Sequence, residues 1–294
     1  MKVLVLGATG LLGTEIMQVL QERGIRALGA ARSGADLTVN IADPLALFRL
    51  LVRVDADTVI NCAANVNLAQ CEDDPEMAYR VNGAPAGVLS AWSQQTDGRF
   101  LQVSTDNYFT GTEKTKHDEQ AIIGLANAYA ASKFSGETMA REAPNSLVVR
   151  TNICGARKGF GRWVLDSLTD RAPIGVFTDY YTSTMHVRAC AEALADLLVT
   201  KHTGLVHLGS SEVSSKAEFV RAVADELQID PDWIEDRSAR GMSPARALSC
   251  GMDVSKAESW LGRKLPGLSE TVRSLVSEDE RCVTHMTSNL AAAG

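Results

Sequence analysis

The sequence predicts an α/β fold, a doubly wound parallel sheet followed by a smaller C-terminal lobe. Three observations predict it. Short apolar runs alternate with segments of helical periodicity up to about residue 150, the pattern of a parallel sheet covered by helices on both faces. A glycine-rich stretch from Gly7 to Gly13 stands between the first apolar run and the first helical segment. Beyond Arg150 the alternation loosens, as where a second lobe begins. A chain of 294 residues is long enough to bury the core of such a fold.

The elements follow in order. Lys2–Leu6 reads as a short buried strand. Leu12–Arg23 carries Ile16, Val19 and Leu20 at helical spacing, and Gly24 stops it, as a glycine after the last turn does. Ile25–Ala31 is a second strand, completing a β-turn-α-β unit. Pro44–Val54 reads as a helix, Thr58–Asn61 as a strand and Pro75–Gln95 as one long helix. Arg99–Ser104 is a strand, Ala126–Ala143 a helix and Ser146–Arg150 a strand. Gly155–Gly161 reads as a loop. Val187–Val199 is helical, Leu205–Leu208 a strand, and Ser215–Leu227 helical again. Residues 230–250, with Pro231, Gly241 and Pro244, read as irregular. Ser255–Leu261 and Leu268–Ser277 read as short closing helices, and 282–294 as a flexible tail of small and polar residues.

Composition narrows the class. Apolar residues make up 45% and charged residues 22%, so disorder of the whole chain is not expected. The formal net charge is −7 without a Lys/Arg-rich run, so neither nucleic acid nor an anionic membrane is an expected partner. No apolar run approaches the ~20 residues of a membrane span, and the start lacks the pattern of a signal peptide. The expected location is the cytoplasm. The six cysteines have irregular spacing and no C-x-x-C pair, which favours free thiols over a disulfide framework. The five histidines show no metal-ligand spacing, and no metal is expected.

Gly7-Ala-Thr-Gly10-Leu-Leu-Gly13 has the spacing G-x-x-G-x-x-G. The first glycine permits a tight turn, the second lets backbone approach a pyrophosphate, and the third lets the helix pack closely on the strand. The helix that follows offers free N–H groups and a partial positive charge to an anion. Plain structural turns share this composition; the position directly after the first strand favours a dinucleotide. The second strand ends in Leu28-Gly29-Ala30-Ala31-Arg32-Ser33, with no carboxylate. An acid there is usual for NAD, whereas Arg32 suits a 2′-phosphate. NADP(H) is therefore favoured and NAD(H) is the alternative; a solvated surface arginine is the other reading of Arg32.

Tyr129-Ala-Ala-Ser-Lys133 puts a phenol and an ammonium four apart, on one helical face. Ser104-Thr105 stands at the end of the preceding strand. Reducing a ketone by hydride requires a proton for the developing alkoxide, and tyrosine is a suitable acid if a neighbouring ammonium lowers its pKa. A threonine hydroxyl can hydrogen-bond the oxygen as charge builds there. Alone, Tyr-x-x-x-Lys also occurs on ordinary surface helices; the glycine loop and the Ser-Thr in the same order favour the catalytic reading.

Together these residues resemble an extended short-chain dehydrogenase/reductase of the Rossmann class, related to the NAD-dependent epimerases and dehydratases. Further segments are similar to the dTDP-4-dehydrorhamnose reductase family: Val59-Ile-Asn-Cys-Ala-Ala64, Asp74-Pro75 through Val81-Asn82, Val103-Ser-Thr-Asp106 with Phe109-x-Gly111, Arg150-Thr151, and Met252-Asp253-Val-Ser-Lys256 with Leu261-Gly262. The resemblance spans roughly 1–280. It implies catalysis by Tyr129 and Lys133 with help from Thr105. It implies cofactor contacts at Gly7, Gly10, Leu11, Leu12, Gly13, Arg32, Asn40, Ile41, Ala63, Ala64, Asn65, Ser104, Tyr129 and Lys133. It implies substrate contacts at Val66, Thr105, Asp106, Asn107 and Ile153. The implied domains are an NADP(H)-binding unit over 1–154 and a mainly substrate-binding lobe over 155–281, interleaved with the sheet. A homodimer through the two long helices, 75–95 and 126–143, is also implied by resemblance.

Several positions depart from the family. Ile153 stands where a base-stacking tryptophan is common, and Asn107 where an aromatic follows Ser-Thr-Asp. Ala130 replaces a glycine after the tyrosine, and Asn40 replaces an aspartate beside the adenine. Tyr180 or Tyr181 supplies replacement stacking or is an ordinary core or rim aromatic. Arg157, Lys158 and Arg162 read either as a diphosphate site or as a solvated loop. Asp118-Glu119 reads as solvated, His186 and His207 as satisfied structural residues, and the four tryptophans as packing residues. The expected activity is reduction of a keto-sugar linked to a nucleotide by NADPH. The alternatives are a non-catalytic NADP(H)-binding regulatory subunit, or an epimerase or dehydratase on the same fold.

Overall fold

The computed structural model describes residues 1–284. The first half comprises β1 (Lys2–Leu6), α1 (Leu11–Glu22), β2 (Arg26–Ala31), β3 (Leu37–Thr38), α2 (Pro44–Val54), β4 (Thr58–Asn61), α3 (Leu68–Asp73), α4 (Pro75–Asn82), α5 (Ala84–Thr96), β5 (Arg99–Val103), α6 (Ala128–Arg141) and β6 (Ser146–Thr151). The second comprises β7 (Ile153–Cys154), α7 (Phe160–Thr169), β8 (Ile174–Phe177), β9 (Tyr181–Thr182), β10 (Met185–His186), α8 (Val187–Val199), β11 (Gly204–Leu208), β12 (Ser214–Ser215), α9 (Lys216–Glu226), β13 (Ile234–Arg237), β14 (Ser249–Cys250), α10 (Ser255–Leu261) and α11 (Leu268–Ser277).

Seven strands form one sheet in the order β11-β6-β5-β4-β1-β2-β3, with every neighbouring pair parallel. The chain runs outward from β1 to β3, returns to β4 beside β1, and runs outward the other way. That reversal opens a crevice at the carboxyl ends of β1 and β4, the place where doubly wound sheets take ligands.

Both faces of the sheet are covered, which is why β1 is apolar throughout. Val3 and Val5 pack with Ile16, Val19 and Leu20 of α1 and with Leu194 and Leu197 of α8. Leu4 and Leu6 face the other way, onto Leu47 and Leu51 of α2 and Leu89 of α5. Each such burial contributes roughly 1.5–3 kcal/mol relative to exposure. A third apolar cluster joins α7, β8, α9 and α11 through Leu165, Val176, Val220, Phe219 and Leu275. The chain beyond residue 154 therefore supplies α8 and β11 to the main sheet and also builds a core of its own.

Several sequence expectations need correcting. The single helix over 75–95 is two, broken at Gly83. Pro85 cannot donate an N–H and disfavours helical backbone before it, and the Gly83 N–H closes α4 on Tyr79 O at 2.8 Å. The glycines of 155–161 do not all belong to a loop: α7 begins at Phe160, with Gly159 at its N-cap. A Cβ on Gly161 would lie 2.6 Å from Gly155 O, so that glycine serves close packing inside the helix. Within 230–250, β13 pairs with β8. The flexible tail expected over 282–294 does not start at 282. Residues 280–284 are helical and Cys282 is buried in the third cluster. Asp279 caps this turn by accepting from the Arg281 and Cys282 N–H groups. Residues 285–294 of that expected tail lie outside the described residues. No described helix is long and apolar enough to cross a membrane.

Candidate active site

The glycine-rich turn leaves β1 and enters α1 at the crevice. Gly7 has φ +79°, and a Cβ there would sit 2.7 Å from Ala63 N. A Cβ on Gly13 would meet Gly7 O at 2.1 Å, whereas one on Gly10 would meet only Gly7 O at 3.0 Å and otherwise occupy open space. Gly7 and Gly13 therefore serve the turn, and Gly10 keeps one side open. Leu11 and Leu12 begin α1, and Gly10, its N-cap, offers no side chain to satisfy the first N–H groups. A bare helix N-terminus beside an open glycine fits a dinucleotide pyrophosphate. Lys158 donates to Thr9 O at 3.3 Å, and Arg157 pairs with Glu15 at 3.3 Å. Arg162 instead bonds Asp166, Asp279 and Ala156 O, a purely internal set.

At the end of β2, Arg32 and Ser33 are exposed. The sequence places no carboxylate between Leu28 and Ser33, but the fold returns one. Asp36 accepts the Gly29 N–H at 2.8 Å. Asn40 Oδ1 accepts from Ala42 N at 3.2 Å on the exposed turn before α2, and Ile41 is buried against α2.

Ala63, Ala64 and Asn65 follow β4 and face the glycine turn through the Gly7–Ala63 approach. Asn65 is held on three sides. Its N–H donates to Asn82 Oδ1 at 2.8 Å, its carbonyl accepts from Asn82 Nδ2 at 3.0 Å, and its Oδ1 accepts from Asn67 N at 3.1 Å. Asn82 also donates to Ser132 Oγ at 2.9 Å, which ties this loop to α6. Val66 is exposed.

Thr105, Tyr129 and Lys133 come together above the ends of β4 and β5, and all three are buried. The start of α6 is fixed from two directions. Asn127 caps it by accepting from Ala130 N at 2.8 Å while donating to Ala245 O at 2.9 Å, and Glu72 accepts the Ala128 N–H at 3.0 Å. Burial pushes the Tyr129 phenol up to about 12, against the facing Thr105 hydroxyl, which pulls it down. Sequence reasoning expected the ammonium to lower it. In the structure, Lys133 Nζ donates to Val103 O at 2.7 Å, and the phenol is governed by burial and by the Thr105 hydroxyl rather than by that ammonium. Burial also lowers the Lys133 ammonium to about 8, with Cys62 and Glu137 opposing. A phenol kept protonated beside a threonine hydroxyl is competent to give a proton to a carbonyl oxygen.

Ser104 turns away from this trio into a buried network. Its Oγ lies 2.9 Å from Tyr108 Oη and donates to Glu137 Oε2 at 3.2 Å. Glu137, one turn beyond Lys133, takes a two-point contact from Arg150, and Arg150 also contacts His207.

Asn152, Thr184 and Lys216, which the sequence did not single out, join Asp106 and Asn107 in one hydrogen-bonded group. Asp106 Oδ2 accepts from Asn152 Nδ2 at 2.7 Å, and its Oδ1 accepts from Asn107 Nδ2 at 3.2 Å. Asn152 Oδ1 accepts from Thr184 Oγ1 at 2.8 Å, and Thr184 accepts from Lys216 Nζ at 3.2 Å. That ammonium sits over the rings of Phe160 and Tyr180, at 4.3 and 5.6 Å from their centroids. Ile153 pairs with Met185 and packs toward the first apolar cluster. The Asn107 side chain faces the Tyr180 phenol, and its Oδ1 atom is buried.

Elsewhere, Glu119 is not solvated but accepts the His207 N–H at 3.0 Å. His186 contacts Glu278 at 2.9 Å and caps α8, and His207 is buried. Trp92 packs as expected, but Trp163 is 45% exposed. All six cysteines are free thiols.

Residues 1–281 match the family model described as RmlD substrate binding domain. The probable low-salt glycan biosynthesis reductase Agl14 of Haloferax volcanii is 29% identical over 287 residues, covering 92% of this chain and 96% of that protein. A dTDP-4-dehydrorhamnose reductase of Burkholderia thailandensis is 31% identical over 243 residues, covering 79% of this chain and 80% of that one. Among solved structures, a dTDP-4-dehydrorhamnose reductase from Bacillus anthracis, in complex with NADP, superposes with a TM-score of 0.86 at 21% identity, covering 95% of this chain and 99% of that chain, a likeness of fold.

Proposed function

The chain belongs to the RmlD substrate binding domain family, and from that membership and its site we propose that it is an NADP-dependent oxidoreductase that reduces a keto-sugar linked to a nucleotide. The observation that carries the reading is the meeting of Thr105 with a buried, protonated Tyr129, with Lys133 one turn along. The glycine turn and bare α1 N-terminus fit the pyrophosphate, and exposed Arg32 suits a 2′-phosphate; NAD(H) is the alternative cofactor.

Bound at the glycine turn between Gly7 and Gly13, a reduced nicotinamide cofactor would supply the hydride that the carbonyl carbon needs. Tyr129 gives its phenolic proton to the carbonyl oxygen, so the ketone becomes an alcohol and the phenolate is left to be reprotonated from solvent. Thr105 holds that oxygen by hydrogen bond as negative charge grows on it. Lys133 keeps a positive charge beside the phenol's helix face and holds the ribose hydroxyls. Asp106, Asn107 and the lobe over 155–281 hold the sugar nucleotide. A homodimer packed through α4, α5 and α6 belongs to the same reading and is tested by sedimentation.

The test is consumption of NADPH with a panel of dTDP-linked 4-keto-6-deoxy sugars, with Tyr129→Phe as control. Turnover that is lost in the control supports the reading. A Tyr129→Phe protein that reduces its substrate at the normal rate would sink it.

A further inference from the structure

Two cations in the second half of the chain stand beside the active site without an anion. Lys216 opens α9, and its ammonium makes one hydrogen bond, to Thr184 Oγ1 at 3.2 Å. Its other contacts are the ring faces of Phe160 and Tyr180, and no carboxylate pairs with it among the described residues. An ammonium has three donors, so most of its capacity is unused. The Arg246 guanidinium faces the same Tyr180 phenol. It makes no hydrogen bond or ion pair among the described residues, although its Nε atom is buried. Arg162, in the same half of the chain, shows the ordinary arrangement: it takes both Asp166 and Asp279. A charge withdrawn from water without a partner is costly, so a pair of them next to a reaction centre calls for an anionic ligand.

The local charge is positive. Burial pushes the Tyr180 phenol and the Cys250 thiol well above their ordinary values and Cys154 to about 12, so these neighbours are neutral in ordinary buffers. Asp106 is the carboxylate that faces Lys216, and Asn152 and Thr184 stand between the two as a run of hydrogen bonds. The two cations therefore outnumber it. Lys216, Arg246, Phe160, Tyr180 and Asn152 are all half-buried, so the group lines an accessible wall. The wall adjoins the reacting side chains. Asn107, two residues past Thr105, faces the Tyr180 phenol, and Ala245 O, next in the chain to Arg246, accepts from Asn127 at the start of the helix bearing Tyr129. The N-terminus of α9 is closed by the Ser215 and Glu218 capping box, so the attraction comes from the side chains and not from the helix end.

We propose that Lys216 and Arg246 bind the diphosphate of the nucleotide-linked substrate and so hold its sugar against Thr105 and Tyr129. The proposal rests on the reductase reading and names the residues that grip the substrate's anionic part. A diphosphate brings several acceptor oxygens and more than one negative charge, which matches two cations with unused donors. The guanidinium takes two oxygens side by side, and the ammonium acts as a point charge. The cofactor's own pyrophosphate belongs at the glycine turn, on α1, and does not compete for this pair.

The experiment is calorimetric titration of dTDP, UDP, CDP and GDP into the protein saturated with NADPH, repeated on Lys216→Met and Arg246→Met. The parent binds at least one of these nucleotides, and each variant weakens that binding by about tenfold or more. The loss shrinks as salt is added, because added ions screen the charge that the variant lacks. NADPH affinity, titrated separately, stays as in the parent. In turnover the KM for the sugar nucleotide rises with kcat much less changed, the sign of lost substrate binding, and Lys216→Arg recovers part of the affinity. Nucleotide affinity equal to the parent's in both variants overturns the proposal, and so does a parent that binds none of the four. If Lys216→Met does not fold, Arg246→Met carries the test alone. Failure of the reductase reading shows as no NADPH consumption by the parent, whereas failure of this proposal shows as undiminished nucleotide binding in the variants.

Discussion

Glu137 and Arg150 form an ion pair in which the side chains are 0% and 1% exposed, one helical turn from Lys133. Removing one partner strands the other charge in the interior. Glu137→Gln should therefore lower stability by roughly 3–5 kcal/mol, read by denaturant unfolding. Replacing both residues by apolar ones of similar volume should lower it less, and a double variant as unstable as the single one would argue against this account.

Tyr129→Phe removes the proposed proton donor but keeps the ring among Cys71 and Ala78. The expected result is a fall in kcat of about 10²–10⁴-fold with cofactor affinity nearly unchanged. Single-turnover kinetics together with calorimetric titration of NADPH separate the two.

Lys133 is held down to about 8 by burial, from an ordinary 10.5. Its ammonium is present below about 8 and lost above it, so kcat should decline as pH rises through that value. Stability moves the other way. Between about 8 and 10.5 the unfolded chain holds a proton that the folded chain lacks, so unfolding free energy from this group rises with pH across the window. Lys133→Met should abolish both trends, which stopped-flow turnover and chemical denaturation at several pH values would detect.

Two glycine substitutions separate folding from binding. Gly13→Ala drives a methyl to 2.1 Å from Gly7 O and should cost about 1–3 kcal/mol or more in stability. Gly10→Ala meets backbone only at 3.0 Å. It should lower the melting temperature much less than Gly13→Ala does while weakening NADPH binding, because the methyl otherwise stands on the open side of the turn.

Arg32→Gln should weaken NADPH by about tenfold or more, the worth of hydrogen bonds to a charged phosphate, and leave NADH unaffected. Equal weakening of both cofactors would mean that Arg32 does not read the 2′-phosphate. Asp36→Asn is the companion variant, because that carboxylate holds the Gly29 N–H beside the same strand end.

Much of the sheet and part of the site could be read before the structure. The bounds of β1, α2, β4, α8, α10 and α11 coincide with the periodic segments, because burial on one or both faces writes a local pattern. The break at Gly83 was less visible, since helical spacing continues across Pro85 and only the packing of Gly83 against Ser132 shows its use. The two-residue strands β3, β7, β9, β10, β12 and β14 have too few residues to show any period. Tyr129, Lys133 and Thr105 were recognisable from side-chain chemistry and order along the chain. Lys216 was not, because Ser215 and Glu218 around it spell an ordinary capping box and nothing local tells that its ammonium turns inward. Asn82 and Asn152 were missed for the same reason: an amide's partners are set by the fold.

Asn127 accepts from the first turn of α6 and donates to Ala245 at once, a pair of tasks that an amide can perform and a carboxylate cannot. Any redesign of the 239–248 segment is therefore constrained at one backbone position. A grafted segment that fails to offer a carbonyl where Ala245 does leaves the amide half-satisfied at the very start of the helix bearing Tyr129. Transplants that keep that carbonyl should keep the start of α6 fully hydrogen-bonded at Asn127.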